Sequence, residues 1–326
     1  MALHEITFPS HNGSDTIHGW IYQPTRPARA VVHLIHGLGE HSRRYLHLIT
    51  RLLDAGFVVA ADDHAGHGKT AAVSGVWADS GDDGAETAIA DEQTLRSRVR
   101  ELYPDLPYVV FGHSWGSMIA RPLAARLGDD LVGLILCGIA AQIPGADAFD
   151  RAALAAEPDR AGAADLAYVG ALFDGFVSRY GDGAGPTDWV ARSPEVVADH
   201  AVDPLNNFGA PMSVRFLQGF VEVYDQANSD DWYTSVRADL PVLILAGDQD
   251  PVTNYGEGAY HVANKLVASG HPSVRTRVYS GFRHEVHNEP EIRDDVESEV
   301  IDFVVTACRL HDAARGTSTA SPLPNV

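Results

Sequence analysis

A short apolar run that breaks into Gly112-His113-Ser114-Trp115-Gly116, and from there into a helix, limits this chain more than any other stretch. Residues 108–111 read as a buried strand and residues 117–127 as a helix. A chain passes from strand to helix in so few residues only if the residue at the tip accepts a strained backbone. The residues two before and two after it must also lack side chains, so that strand and helix can approach. Gly112 and Gly116 meet that demand around Ser114. Such a turn presents its central side chain at the end of a sheet, the setting a nucleophilic serine requires. By itself the pentapeptide also fits an ordinary glycine-rich turn, and the rest of the chain decides between the two.

Residues 5–8 and 16–22 alternate apolar and polar side chains around 11–14, which predicts an antiparallel hairpin. Residues 30–35, 57–61, 131–137 and 241–246 are apolar runs that predict buried strands, and 274–279 is the last strand. Helices are expected up to about residue 53 and over 91–102, 255–269 and 294–309. Strands and helices alternating at this spacing predict an α/β architecture, a mostly parallel central sheet with helices on both faces. The rhythm breaks between 138 and 236, where Ala, Gly and Asp dominate, helical patches are short and no strand is convincing. Residues 1–138 and 237–310 are therefore expected to form the core and 139–236 a cap insertion. Residues 311–326, rich in Ser, Thr and Pro, are expected to be a disordered tail.

The 326 residues suffice for one large domain with an insertion. A formal charge of −20, spread over the chain, opposes binding to nucleic acid and to anionic membrane. Two cysteines, Cys137 and Cys308, make no disulfide framework. The N-terminal residues show no basic-then-apolar leader, and no apolar run reaches spanning length. The expectation is a cytoplasmic protein without stable membrane association; the sequence carries no sign of oligomeric state.

A serine nucleophile needs a base to take its proton and a carboxylate to orient that base. It also needs backbone N–H donors for the developing oxyanion. Candidates for each stand at predicted strand ends, in the order Ser114, Asp250, His284. His284 follows the last strand, with His287 as its rival; Asp250 follows the penultimate strand, with Asp248 beside it. One aspartate of that pair is expected to cap a turn. Trp115, after the serine, and Leu38, between Gly37 and Gly39, are the expected N–H donors. Gly37 and His113, their neighbours, are the positions expected to border substrate. The spacings of a phosphate-binding loop and of a dinucleotide fingerprint are absent. Asp62, Asp63, His64 and His67 contain metal-ligating types, but without a second cluster they read as a polar turn. No cofactor and no metal is expected.

The chain resembles the α/β-hydrolases of the monoacylglycerol lipase and lysophospholipase group, the serine-aminopeptidase-like hydrolases. The resemblance runs through residues 36–45, which open His36-Gly37-Leu38-Gly39-Glu40-His41, and through 63–68 and 112–116. It continues through 247–250, His284-Glu285 and Asn288-Glu289. Asp203-Pro204-Leu205 matches a short motif of the same group inside the insertion. The resemblance implies an α/β-hydrolase fold with a helical cap, Ser114 as nucleophile, Asp250 as acid, His284 as base, and Leu38 and Trp115 as oxyanion donors. It also implies hydrolysis of a small-molecule carboxylic ester through an acyl-enzyme. The same three residues would open a lactone, which is a cyclic ester. A hydrolase-fold binding protein without catalysis would be expected to lack one of them. Two residues depart from the pattern: Trp115 stands where Met is frequent, and Ser117 where a third Gly is common. Trp115 is expected to narrow the pocket. Residues 146–157 of the insertion carry no apolar stripe, which favours a dissolved ester, short-acyl or aromatic, over membrane lipid.

Overall fold

A computed structural model describes residues 2–316, and the predicted strands assemble there into one eight-stranded sheet. β1 (Ala2–Pro9) and β2 (Thr16–Gln23) form the hairpin. β3 (Ala30–Ile35), β4 (Phe57–Asp63), β5 (Tyr108–His113), β6 (Gly133–Cys137), β7 (Val242–Gly247) and β8 (Val274–Tyr279) follow. Across the sheet the order is β1-β2-β4-β3-β5-β6-β7-β8. β2 pairs antiparallel with β1 and β4, and every later pairing is parallel. All residues of β3 to β7 are buried, because helices cover both faces and leave neither side of a strand for water. At the edge, β8 alternates exposed with half-buried residues until its buried last residue, Tyr279.

Helices α1 (Leu46–Asp54), α2 (Gly68–Ser74), α3 (Gly84–Leu102) and α4 (Trp115–Leu127) lie between β3 and β6. Between β6 and β7 come α5 (Pro144–Asp147), α6 (Arg151–Ala155), α7 (Leu166–Leu172), α8 (Pro194–Val202), α9 (Val214–Asn228) and α10 (Asp230–Ser235). α11 (Glu257–Ala268) and α12 (Arg293–Ala314) complete the chain. Val32, Leu34 and Phe111 pack with Leu48, Leu52, Val300 and Phe303 from α1 and α12 on one face. Val31, Ile35 and Val110 pack with Ile89, Leu95, Met118 and Phe216 from α3, α4 and α9 on the other.

Three boundaries differ from expectation. α3 starts at Gly84, seven positions before residue 91, because Ala85, Ala88 and Ile89 extend its buried face. α12 continues to Ala314, so residues 311–314 are helical where a disordered tail is expected. No Gly or Pro interrupts the chain there before Gly316, and Ala313 and Ala314 favour helix. The rest of that tail, 317–326, lies outside the described residues. α9 falls within the expected insertion, yet it packs on α3 and α4 against the sheet.

Arg121 on α4 joins these parts. It is fully buried and donates to the carbonyls of Ser117 (3.1 Å), Ala227 (3.0 Å) and Ala140 (2.5 Å) and to Asn228 Oδ1 (3.0 Å). Burial without a facing carboxylate lowers its pKa to about 10. Its five donors suit an irregular set of carbonyls that no ladder satisfies. Arg121→Ala strands these acceptors in the interior and should cost at least about 3 kcal/mol in chemical denaturation. Arg121→Lys, with three donors, should recover only part of that loss.

Candidate active site

Ser114 sits between β5 and α4 with φ 54° and ψ −121°, a region that side-chain-bearing residues seldom occupy. The flanking glycines are required by contact. A Cβ on Gly112 would lie 2.3 Å from the Gly116 carbonyl oxygen, and one on Gly116 would lie 2.2 Å from that of Ile35. Ser117, which replaces the third glycine of the group's pattern, ties the turn down. Its Oγ donates to the Ser114 carbonyl (2.6 Å) and accepts from the Ala140 N–H (3.1 Å). The Ser114 N–H donates to the Cys137 carbonyl at 3.0 Å.

His284 Nδ1 is 2.9 Å from Asp250 Oδ2, and the other Asp250 oxygen accepts the Val252 N–H at 2.8 Å. Asp248 turns away; it accepts from Gly281 N (2.7 Å) and Ser280 Oγ (2.8 Å) and so fixes the turn after β8. Of the two histidines after that strand, His284 meets the carboxylate. His287 is stacked on Tyr45 at 4.7 Å, and burial, then His113, push its pKa well below the usual value. His284 Nε2 is buried without a hydrogen-bond partner, and it belongs to the cavity that Ser114 also lines. Burial works to lower the His284 pKa, but the Asp250 charge and hydrogen bond, with Glu285 and Glu40 behind them, raise it above 6.5. Gly138 (φ 51°) backs the ring: a Cβ there would lie 2.9 Å from His284 Cε1.

The loop after β3 carries Gly37 and Leu38 past Ser114; a Cβ on Gly37 would lie 3.0 Å from that of Ser114. Beneath it is a network to which sequence reasoning assigned no role. Glu40 Oε1 accepts from Gly37 N (2.7 Å) and Tyr45 Oη (2.6 Å) and contacts His113 Nδ1 (3.1 Å). Glu40 Oε2 accepts from Arg44 at 2.8 Å, and the same guanidinium makes a two-pronged contact with Glu285, one prong being Nη2 to Oε2 at 2.8 Å. Burial opposes both charges; Arg44 outweighs it and takes Glu285 down to about 2. Both acids stand inside stretches that carry the family resemblance, which was the available signal. His113 is almost fully buried, and its ring packs on His284 (4.7 Å) and His287 (4.5 Å). It thus supports the His284 ring as well as lining the cavity.

That cavity and its open mouth together hold about 520 Å³ of space not filled by atoms. Leu38, Trp115 and Met118 form its floor, and Phe173, Phe176, Trp189 and Phe208 enter from the insertion. These aromatics come from residues outside 146–157, so the insertion turns an apolar face inward that its acidic composition hides. Trp115 lines the cavity with Ser114 and is stacked on His67 at 5.1 Å and edge-on to Phe216 at 5.6 Å. The insertion is anchored at the rim. His284 N donates to Trp189 O (3.3 Å), Glu285 N to Val190 O (2.8 Å) and Asn207 N to Gly39 O (3.0 Å). Asp203 reaches His41 Nε2 at 2.8 Å.

The Asp62–His67 stretch divides. Asp63 accepts from Ser42, Arg43 and the Lys69 N–H, and His67 packs on Trp115. Asp62 and His64 instead meet Glu92 of α3.

Residues 26–291 match the family described as serine aminopeptidase, S33. The monoacylglycerol lipase of Mycolicibacterium smegmatis is 30% identical over 286 residues, 86% of this chain and 91% of that one. A solved structure described as a lipase in open form is 54% identical, with a TM-score of 0.91, covering 94% of this chain and 99% of the other. A thermostable carboxyl esterase from Bacillus coagulans, solved in complex with glycerol, is 48% identical with the same TM-score and the same coverage. Helices, sheet order and elbow are those of an α/β-hydrolase, and the chain belongs to the serine aminopeptidase, S33 family of that fold.

Proposed function

We propose that this protein cleaves small-molecule carboxylic esters through an acyl-enzyme formed on Ser114. The observation that carries the reading is the Asp250–His284 pair, whose free Nε2 opens on the same cavity as a serine held in a strained turn. Similarity to a monoacylglycerol lipase over most of the chain, and to a carboxyl esterase at 48% identity, gives the reaction class: the chain is a carboxylic ester hydrolase. His284 takes the proton of Ser114 as Oγ attacks the ester carbonyl, then returns it to the leaving alcohol. Water, activated by the same nitrogen, releases the acid. Asp250 holds Nδ1 protonated and steadies the imidazolium. The N–H groups of Leu38 and Trp115 receive the oxyanion. The aromatic wall from the insertion takes an apolar acyl group.

Ser114→Ala should lower ester turnover by about 10⁴-fold or more and abolish labelling by a fluorophosphonate. Near-normal turnover in that variant would overturn the reading. With p-nitrophenyl esters of rising acyl length, Phe176→Ala should move the optimum to longer chains by opening the wall.

The base must be neutral to accept a proton, so activity falls as pH drops through the His284 pKa. Because Asp250 raises that pKa above 6.5, the acid limb of kcat/KM should have its midpoint above 6.5. Asp250→Asn should move the limb to lower pH and reduce kcat by about 10⁴-fold. An unmoved limb in that variant would assign the titration to another group.

A further inference from the structure

Between the sheet and α3, outside the cavity, four ionisable side chains meet. His33 lies on β3, Asp62 near the end of β4, His64 just beyond it, and Glu92 on the inner face of α3. All are buried, with His64 the most exposed at 3%. His64 Nε2 faces the His36 carbonyl at 3.2 Å; in the tautomer that places the hydrogen there, Nδ1 presents a lone pair. That lone pair lies 3.2 Å from Glu92 Oε1 and 3.6 Å from Asp62 Oδ1. Glu92 Oε1 and both Asp62 oxygens nevertheless have no hydrogen-bond partner. Three ligand atoms converge within 4.8 Å of one another. Among the described residues no Lys or Arg forms an ion pair with either carboxylate; their basic neighbours are His33, on the other Glu92 oxygen, and His64, and two acids side by side in the interior are costly without a further cation.

We propose that Asp62, His64 Nδ1 and Glu92 Oε1 hold a divalent first-row cation, of zinc class by donor type. The spacing fits. A tetrahedral ion with bonds of about 2.0–2.1 Å keeps its ligand atoms about 3.3 Å apart. Two of the separations are 3.2 and 3.6 Å, and all three ligand atoms lie within 4.8 Å of one another. Asp62, His64 and Glu92 supply one donor atom each, three protein ligands, and leave the fourth position of a tetrahedral ion to water. The outer partners are those a metal site needs. The His64 ring donates its other N–H to a carbonyl, and the second Glu92 oxygen is held by His33 Nε2 at 2.5 Å, whose Nδ1 is 3.0 Å from Tyr108 Oη. The cation would also brace the loop before Leu38, since the His64 N–H donates to His36 Nε2 (3.1 Å) and the two rings stack at 3.8 Å. The inference stands apart from the ester chemistry above.

The test uses the full chain without a tag, purified without chelator. Elemental mass spectrometry should find about one zinc-class ion per chain, and chelator treatment should remove it. Returning zinc to the stripped protein should raise the melting temperature by about 5 °C or more. Cobalt in its place should give the strong visible bands of a four-coordinate site. Asp62→Asn and Glu92→Gln should each lose the ion and the thermal response. Wild-type protein that is free of metal, and whose melting temperature answers neither to zinc nor to chelator, overturns the proposal. So does an ion that both variants retain, because it then sits elsewhere. If the variants fail to fold, the wild-type stoichiometry and cobalt spectrum decide.

Discussion

One guanidinium holds the working end of this sheet together. Arg44 leaves the short turn Ser42–Tyr45 and lies between two buried carboxylates, Glu40 after β3 and Glu285 after β8. Their loops are 245 positions apart in number (285 − 40) and are carried by strands separated by β5, β6 and β7 in the sheet. Neither carboxylate tolerates burial without the arginine, and the arginine is equally dependent on them. Through Glu40 the ion triad reaches the Gly37 N–H, Tyr45 and His113; through Glu285 it fixes the residue after His284. In the proposed chemistry an oxyanion loop and a general base gain rate only if their spacing is set before substrate arrives. Buried charge ties the two loops together here.

The insertion completes the same arrangement from above. Its polar residues face outward and account for much of its acidic composition, while its aromatics close over the cavity. Backbone contacts at Trp189 and Val190 grip the His284 loop, and those at Asn207 grip the loop at Gly39. Phe208 presses on Gly39 so closely that a Cβ there would lie 2.8 Å from the Phe208 Cα. Wall and floor of the cavity are therefore coupled to the two loops that the proposed chemistry uses.

Sequence made the sheet readable because β3 to β7 are buried on both faces, which leaves Val242–Gly247 without polar interruption and Ala30–Ile35 interrupted by His33 alone. Ser114 and Asp250 stood out as candidates because each follows such a run, and His284 because it follows the last strand, the half-exposed edge strand Val274–Tyr279. The choice of Asp250 over Asp248 was harder. Both follow β7, and only the fold shows one bound to the turn after β8 and the other to His284. The inward aromatics were hidden because Phe173, Trp189 and Phe208 lie in short, irregular segments with no period to betray a common face. The group around Asp62 and His64 read as a polar turn for a related reason. Its missing member, Glu92, enters from α3, twenty-eight residues after His64 in the chain (92 − 64).

The elbow shows how the fold sustains a residue in an unfavourable conformation. A non-glycine residue at φ 54° and ψ −121° costs on the order of 1–3 kcal/mol and persists only when its surroundings over-determine it. Ser114 is held by its own N–H to Cys137, by Ser117 Oγ on its carbonyl, and by two glycines packed against Ile35 and one another. Ser117 is held in turn: its Oγ takes the Ala140 N–H, and its carbonyl accepts from Arg121. Arg121 also binds the carbonyls of Ala140 and Ala227. The line from Ser114 through Ser117 to Arg121 therefore ends where the chain leaves β6 for the insertion and where α9 finishes. A glycine in place of Ser117 would allow the same turn but would lose the hydroxyl that joins it to Ala140. In this chain, strain at the serine and attachment of the insertion are two ends of one hydrogen-bonded path.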